Sequence, residues 1–311
     1  MKDLSFTYRT ADAHPLYVHG WAPEEGEPRA VLQILHGMAE HAGRYARLAE
    51  TFTANGFVVY GHDHRGHGRS VPPGQSHGHV ADQDCFGQMV RDAHAVNQEL
   101  RARHPGLPLV LLGHSMGSFV AQTLLFWYPG DCSACALSGS SGAPPPIAKA
   151  GRVVARAERA RLGARGVSPV LRALSFDDFN KAFAPNRTKF DWLSRDEKEV
   201  DLYVADPFCG FDCDVGLWID MLDALDELVH DRRFQARIDK SLPLLLFAGD
   251  RDPVGEMGTG VRKLHEEYRR AGIRDLTMIL YPGARHETLN ETNREQVTKD
   301  LLTWAKRVAR L

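Results

Sequence analysis

The chain has 311 residues, 43% of them hydrophobic and 25% charged, with a formal net charge of −2. That length allows a large buried core, either one domain carrying an insertion or two domains. The near-zero charge gives no footing for nucleic-acid binding, which needs a basic surplus, and no apolar run approaches the roughly 18 residues that span a bilayer. The N-terminal Met1-Lys2-Asp3-Leu4-Ser5-Phe6 lacks the apolar segment of a secretory signal, so a cytoplasmic location is expected.

In chain order, segments around Leu4 to Tyr8 and Leu16 to Gly20 predict an antiparallel hairpin at one sheet edge. Ala30 to Leu35 is a buried strand, and Tyr45 to Ala54 an amphipathic helix closed by Asn55-Gly56. Strand Phe57 to Tyr60 leads into the polar loop Asp63-His64-Arg65-Gly66-His67-Gly68-Arg69-Ser70. A helix from about Asp82 to Arg103 follows, then strand Leu109 to Leu112, a helix through Ser118 to Leu125, and strand Ala134 to Leu137. After a long excursion the alternation resumes with strand Leu242 to Ala248, helix Gly260 to Ala271, strand Leu276 to Tyr281 and helix Thr292 to Leu311. Nearly continuous apolar strands separated by helices predict a mostly parallel, eight-stranded α/β sheet covered on both faces. The excursion opens with Ala143-Pro144-Pro145-Pro146. Its clearest helix, Val215 to Val229, carries Val215, Trp218, Met221, Leu222, Leu225, Leu228 and Val229 on one stripe. Residues 1–140 and 241–311 are therefore expected to form the core, and 141–240 a helical cap inserted after the sixth strand, above its C-terminal edge.

The chemistry concentrates at that edge. Gly113-His114-Ser115-Met116-Gly117 joins a buried strand to a helix, the context of a nucleophile elbow, whose glycines avoid collisions in a cramped turn. A serine nucleophile needs a base, an orienting acid and an oxyanion hole. The loop Tyr281-Pro282-Gly283-Ala284-Arg285-His286-Glu287 offers His286 as base. Phe247-Ala248-Gly249-Asp250-Arg251-Asp252-Pro253 offers two carboxylates. The chain order Ser, Asp, His is that of this class of enzyme. The oxyanion hole takes the amide of Met116 and one from His36-Gly37-Met38-Ala39-Glu40-His41, with Met38 the expected donor.

These segments, with Gly43-Arg44-Tyr45, resemble an α/β-hydrolase of the monoacylglycerol lipase and lysophospholipase group, filed with the serine aminopeptidase S33 family. The resemblance implies Asp252 rather than Asp250 as the acid, because the family's carboxylate directly precedes the Pro253-Val254 position. In the cap, Lys189-Phe190-Asp191-Trp192-Leu193-Ser194-Arg195 and Asp206-Pro207 resemble segments of bacterial homologues. It implies a serine carboxylic-ester hydrolase acting on a small lipid-like ester through an acyl-enzyme on Ser115, with no cofactor and no metal. A peptidase, thioesterase or acyltransferase would keep the same three residues, and a non-catalytic ligand-binding relative would have lost one. A dehalogenase or epoxide hydrolase would carry a carboxylate in place of Ser115.

Other clusters carry blander readings. Cys132 and Cys135 lie far from Cys209 and Cys213, so buried free thiols are expected rather than zinc. His62, His64, His67, His77 and His79 belong to a polar loop rather than to a metal centre. Lys149, Arg152, Arg156, Arg159, Arg161 and Arg165, interleaved with Val153, Val154, Ala157 and Leu162, form a basic amphipathic stretch of the kind that lies on anionic lipid or on a solvated cap face.

Overall fold

Alternate residues along each central strand point to opposite faces, and here they feed two separate cores. The computed structural model describes residues 1–142, 147–230 and 237–311, with side chains described outside 147–150 and 229–230. Strands β4 (Ala30–Leu35), β5 (Phe57–His62), β6 (Leu109–His114), β7 (Ala134–Ser138), β8 (Leu244–Gly249) and β9 (Leu276–Tyr281) pair in parallel in the order β5-β4-β6-β7-β8-β9. On one face Val31, Val58, Leu109, Leu111 and Leu246 pack under helices α2 (Cys85–Arg103) and α3 (Met116–Trp127). On the other, Leu32, Ile34, Val59, Val110, Leu112 and Leu245 pack under α1 (Ala46–Thr53) and the last helix. Covering on both faces is why β4 to β8 are buried along their whole length, and why their sequences are continuous apolar runs.

The N-terminal edge is antiparallel. Strand β3 (Pro15–Ala22) pairs with β5, and both β1 (Lys2–Asp3) and β2 (Phe6–Arg9) pair with β3. The sheet has nine strands rather than the expected eight, because the leading strand is interrupted at Leu4-Ser5. The interruption lies opposite Gly20, where a Cβ would come within 2.8 Å of the Leu4 carbonyl. A direct ladder is replaced there by Leu4 N–H donating to Gly20 O at 2.9 Å and Gly20 N–H donating to Ser5 Oγ at 3.2 Å.

Helix limits shift by a few residues for local reasons. Asp84 adopts a left-handed conformation (φ 50°), so α2 begins at Cys85 and not at Asp82. A 3-10 turn over Ala42–Tyr45 precedes α1. Between β7 and β8 the described residues hold α4 (Ile147–Leu162), α5 (Pro169–Ala173), α6 (Phe176–Lys181), α7 (Glu197–Ala205) and α8 (Val215–His230). The expected helix Val215 to Val229 is α8, while Ala143-Pro144-Pro145-Pro146 and the side chains of Lys149 and Val229 lie outside the described residues. Helix α9 (Thr259–Arg270) follows β8, and α10 (Arg294–Ala309) closes the chain. Among the described residues no helix is long and apolar enough to cross a membrane.

Candidate active site

Ser115 occupies the tight turn between β6 and α3, with φ 51° and ψ −122°, a conformation that L residues rarely adopt. The surroundings enforce it. Ser115 N–H donates to Ser138 O at 2.9 Å, and Ser115 O accepts from Ser118 N–H at 2.8 Å and from Ser118 Oγ at 2.6 Å. Ser118 Oγ meets Ser140 Oγ at 2.7 Å, and Gln122 Nε2 donates to Ser140 Oγ at 3.0 Å, so the turn is pinned by a buried polar chain. Both flanking glycines are sterically required. A Cβ on Gly113 would sit 2.5 Å from Gly117 O, and one on Gly117 would sit 2.1 Å from Leu35 O.

His286 lies in the loop after β9 and is almost fully buried. Its Nδ1 approaches Asp252 Oδ1 at 2.9 Å and Oδ2 at 3.0 Å. Asp252, fully buried after β8, also accepts from Val254 N–H at 2.9 Å. Burial disfavours the imidazolium, but the facing Asp252 carboxylate outweighs it and raises the His286 pKa above its ordinary value. Asp250 has a different task. It accepts from Gly283 N–H at 2.7 Å and ties the turn that leads to His286. The two carboxylates that the sequence offered therefore part company in the structure.

Ser115, His286, Met38, Gly37 and His114 line one small space of about 30 Å³. Among the described residues neither the Met38 nor the Met116 amide donates a hydrogen bond, and Met116 is the first residue of α3, where amides point outward without intrahelical partners. Ser115, Met38 and Met116 also line a larger cavity of about 530 Å³, whose other walls include Phe119, Leu171, Phe176, Phe179, Trp192 and Trp218. Among the described residues, Glu256 is the one charged residue in its lining. Trp192 leans on His286, with ring centroids 5.1 Å apart.

Residues 26–293 match the family described as serine aminopeptidase, S33. The chain belongs to that family. Its relatives include the monoacylglycerol lipase of Mycolicibacterium smegmatis, 32% identical over 91% of this chain and 90% of that one. Human monoglyceride lipase is 32% identical over 89% of this chain and 81% of its own. Among solved structures, a thermostable carboxyl esterase from Bacillus coagulans, in complex with glycerol, superposes with a TM-score of 0.90 at 25% identity over 99% of both chains. The fold is the α/β-hydrolase fold.

Several neighbours of this S33 site carry no signal in the sequence taken alone. Trp192 reaches His286 from the segment between β7 and β8, and His286 N–H donates to Trp192 O at 3.4 Å. Arg44 bridges Glu40 and Glu287, residues more than two hundred positions apart in the chain. All four stand in strings quoted above, but nothing in those strings assigns a role to Glu40, Arg44, Trp192 or Glu287.

The histidines after β4 and β5 pack as neutral rings. His36, His62, His64 and His67 are fully buried, and His36 Nε2 accepts from His64 N–H at 2.9 Å while Nδ1 lies 2.7 Å from Gly37 O. Burial holds His62 and His67 near 4, and pushes His36 and His64 well below the usual histidine range. A folded-state pKa below the unfolded value near 6.5 means stability that is complete above pH 6.5 and is lost as pH falls toward 4. The raised pKa of His286 acts oppositely but is a single group. The melting temperature should therefore fall steeply between pH 6.5 and 4.5, each buried ring removing up to about 1.4 kcal/mol per pH unit. A flat melting profile by calorimetry over that window would contradict the neutral packing.

Metal-like groupings elsewhere are already engaged. Donor atoms of His19, His41 and Asp63, and of His41, Asp206 and Cys209, lie within 4.8 Å of one another. Asp63, however, accepts from Ala42 N–H at 2.9 Å and Arg69 N–H at 2.8 Å, and His41 pairs with Asp206 at 2.9 Å. His62, His64, His67, His77 and His79 enter neither group. The five cysteines are free thiols, with burial pushing Cys85 and Cys132 up to about 12. On α4, three arginines face acids: Arg152 pairs with Asp223 and Asp226, Arg156 with Asp223, and Arg161 with Glu158, while Arg165 beyond the helix pairs with Asp82.

Proposed function

We propose that this carboxylic ester hydrolase cleaves lipid-like esters in two acyl-transfer steps. Ser115 is the nucleophile, His286 the base, Asp252 the orienting acid, and the Met38 and Met116 amides form the oxyanion hole. With Nδ1–H committed to Asp252, His286 Nε2 takes the Ser115 proton as Oγ adds to the ester carbonyl. The two amides meet the developing oxyanion. The proton then passes from Nε2 to the departing alcohol oxygen as the carbon–oxygen bond breaks. Water repeats the sequence on the acyl-enzyme and releases the acid.

The observation that carries the substrate class is the cavity of about 530 Å³ that reaches Ser115 between walls of aromatic and aliphatic side chains. Such walls gain from burying an acyl chain, and the carboxylate among them, Glu256, is already paired with Lys263 Nζ at 2.8 Å rather than held out for a peptide's charged amino terminus. Residues 141–240 act as the cap in this reading, since most of those walls come from them, among them Leu171, Phe176, Phe179, Trp218 and Met221 on α5, α6 and α8. The relatives named monoacylglycerol lipase and monoglyceride lipase support the same class. Contact with a lipid surface in this reading rests on exposed Val153 and Leu174, since Arg152, Arg156 and Arg161 of α4 are drawn into ion pairs with acids.

A series of p-nitrophenyl esters tests the substrate class. Each added CH₂ buried in the cavity gains about 0.8 kcal/mol, roughly fourfold. From acetate to octanoate, six CH₂ groups longer, kcat/KM should thus rise on the order of 10³-fold. A flat series, or faster turnover of aminoacyl anilides than of esters, would overturn the lipid-ester reading in favour of a peptidase.

A further inference from the structure

The loop that carries Met38 and the loop that carries His286 come from opposite ends of the chain, and one guanidinium joins them. Arg44 Nη1 donates to Glu40 Oε2 at 2.6 Å and to Glu287 Oε1 at 2.7 Å, and Nη2 donates to Glu287 Oε2 at 2.7 Å. Glu40 Oε1 in turn accepts from Gly37 N–H at 2.5 Å and from Tyr45 OH at 3.0 Å. Gly37 directly precedes Met38, and Glu287 directly follows His286. The side chains of Glu40, Arg44 and Glu287 are only 4%, 11% and 6% exposed. Burying two carboxylates against one guanidinium is not a route to stability, since desolvation cancels most of the attraction. A rigid, bidentate fork is nevertheless what fixes the distance between two loops.

Resting on the acyl-enzyme reading above, we propose that Arg44 is a positioning residue that sets the oxyanion loop against the base loop. The unbalanced carboxylate of the Glu40–Arg44–Glu287 triplet, in this proposal, helps Asp252 stabilise the His286 imidazolium. The groups facing His286 are consistent with this division. Asp252 meets its Nδ1 from the β8 loop, Glu287 adjoins it in its own loop, and Glu40 and Arg44 stand behind on the loop after β4. From β6 comes His114, its ring 4.8 Å from that of His286 and held neutral near 4 by burial, and from the cap comes the uncharged Trp192. Both Glu40 and Glu287 are held below the usual carboxylate range by the Arg44 charge, so the triplet carries one net negative charge.

The test uses the full chain and two variants. Arg44→Lys keeps the charge but cannot bridge both carboxylates bidentately. Its kcat should fall about 10²-fold, the cost of misplaced reacting groups, with KM within twofold. Glu287→Gln keeps the shape, removes the surplus charge, and should shift the acid limb of kcat/KM to lower pH while the melting temperature holds. Raised KM with kcat unchanged in Arg44→Lys would overturn the positioning role, and an unmoved acid limb in Glu287→Gln would overturn the electrostatic one. Should Arg44→Lys fail to fold, Glu287→Gln tests both roles, because its single amide oxygen can accept only one of the two Arg44 bonds, and an unchanged kcat would then overturn the positioning role. A fluorophosphonate separates the two levels of the argument. No labelling of Ser115 in the unaltered protein overturns the acyl-enzyme reading and this one with it. Labelling of the unaltered protein, matched in rate by both variants, overturns this one alone.

Discussion

Replacing Ser115 by alanine should lower kcat about 10⁶-fold while leaving the melting temperature nearly unchanged. The size of the loss follows from the way nucleophile and base act as one unit: without the oxygen, His286 has no proton to take and Asp252 no imidazolium to steady. What survives, roughly 10³- to 10⁴-fold over water, comes from the oxyanion amides and substrate binding. The fold should tolerate the change because the bonds that pin the turn belong to the Ser115 backbone, from its N–H to Ser138 O and from Ser118 to its carbonyl. Alanine keeps the same Cβ in the same left-handed conformation. The measurements are steady-state turnover of a medium-chain p-nitrophenyl ester, and intact mass after fluorophosphonate treatment. A variant within a hundredfold of the unaltered rate, or one that still gains the adduct mass, would remove Ser115 from the chemistry.

The features legible in the sequence were those set by local sterics and burial. The apolar runs of β4 to β8 announce strands covered on both faces, and the glycines at 113 and 117 announce a turn with no room for a Cβ. Both are properties of a few neighbouring residues. The division of the first strand at Leu4-Ser5 was not visible, because it depends on Gly20 lying opposite, which only the pairing decides. Helix α2 looked longer than it is, since nothing in its composition shows that Asp84 adopts a positive φ. The contacts around His286 were least visible. Arg44, Trp192 and Glu287 are ordinary residues whose meaning comes from long-range packing: a guanidinium fork across two loops, and an indole lowered onto an imidazole from an inserted segment. For the basic stretch on α4 the sequence offered a lipid-facing or a solvated face, and the ion pairs of Arg152 with Asp223 and Asp226 across the helix pair depend on packing that its own residues do not show.

Asp252→Asn should lower kcat about 10⁴-fold, and Asp250→Asn should stay within a few-fold of the unaltered enzyme. An asparagine at 252 would present an NH₂ group to His286 Nδ1, which favours the tautomer protonated at Nε2. That nitrogen then cannot accept the Ser115 proton, so geometry survives and chemistry does not. The charge is lost as well. Because the facing carboxylate is what lifts the His286 pKa against its burial, the acid limb of the residual kcat/KM profile should move to lower pH in the Asp252 variant. Asp250 makes a different demand, a single acceptor for Gly283 N–H, and an asparagine oxygen can supply it. The pair of variants therefore separates an acid that orients the base from one that braces its loop. Equal losses at both positions would mean that the loop, not the carboxylate on Nδ1, governs the rate. A large loss at 250 with little at 252 would reverse the assignment.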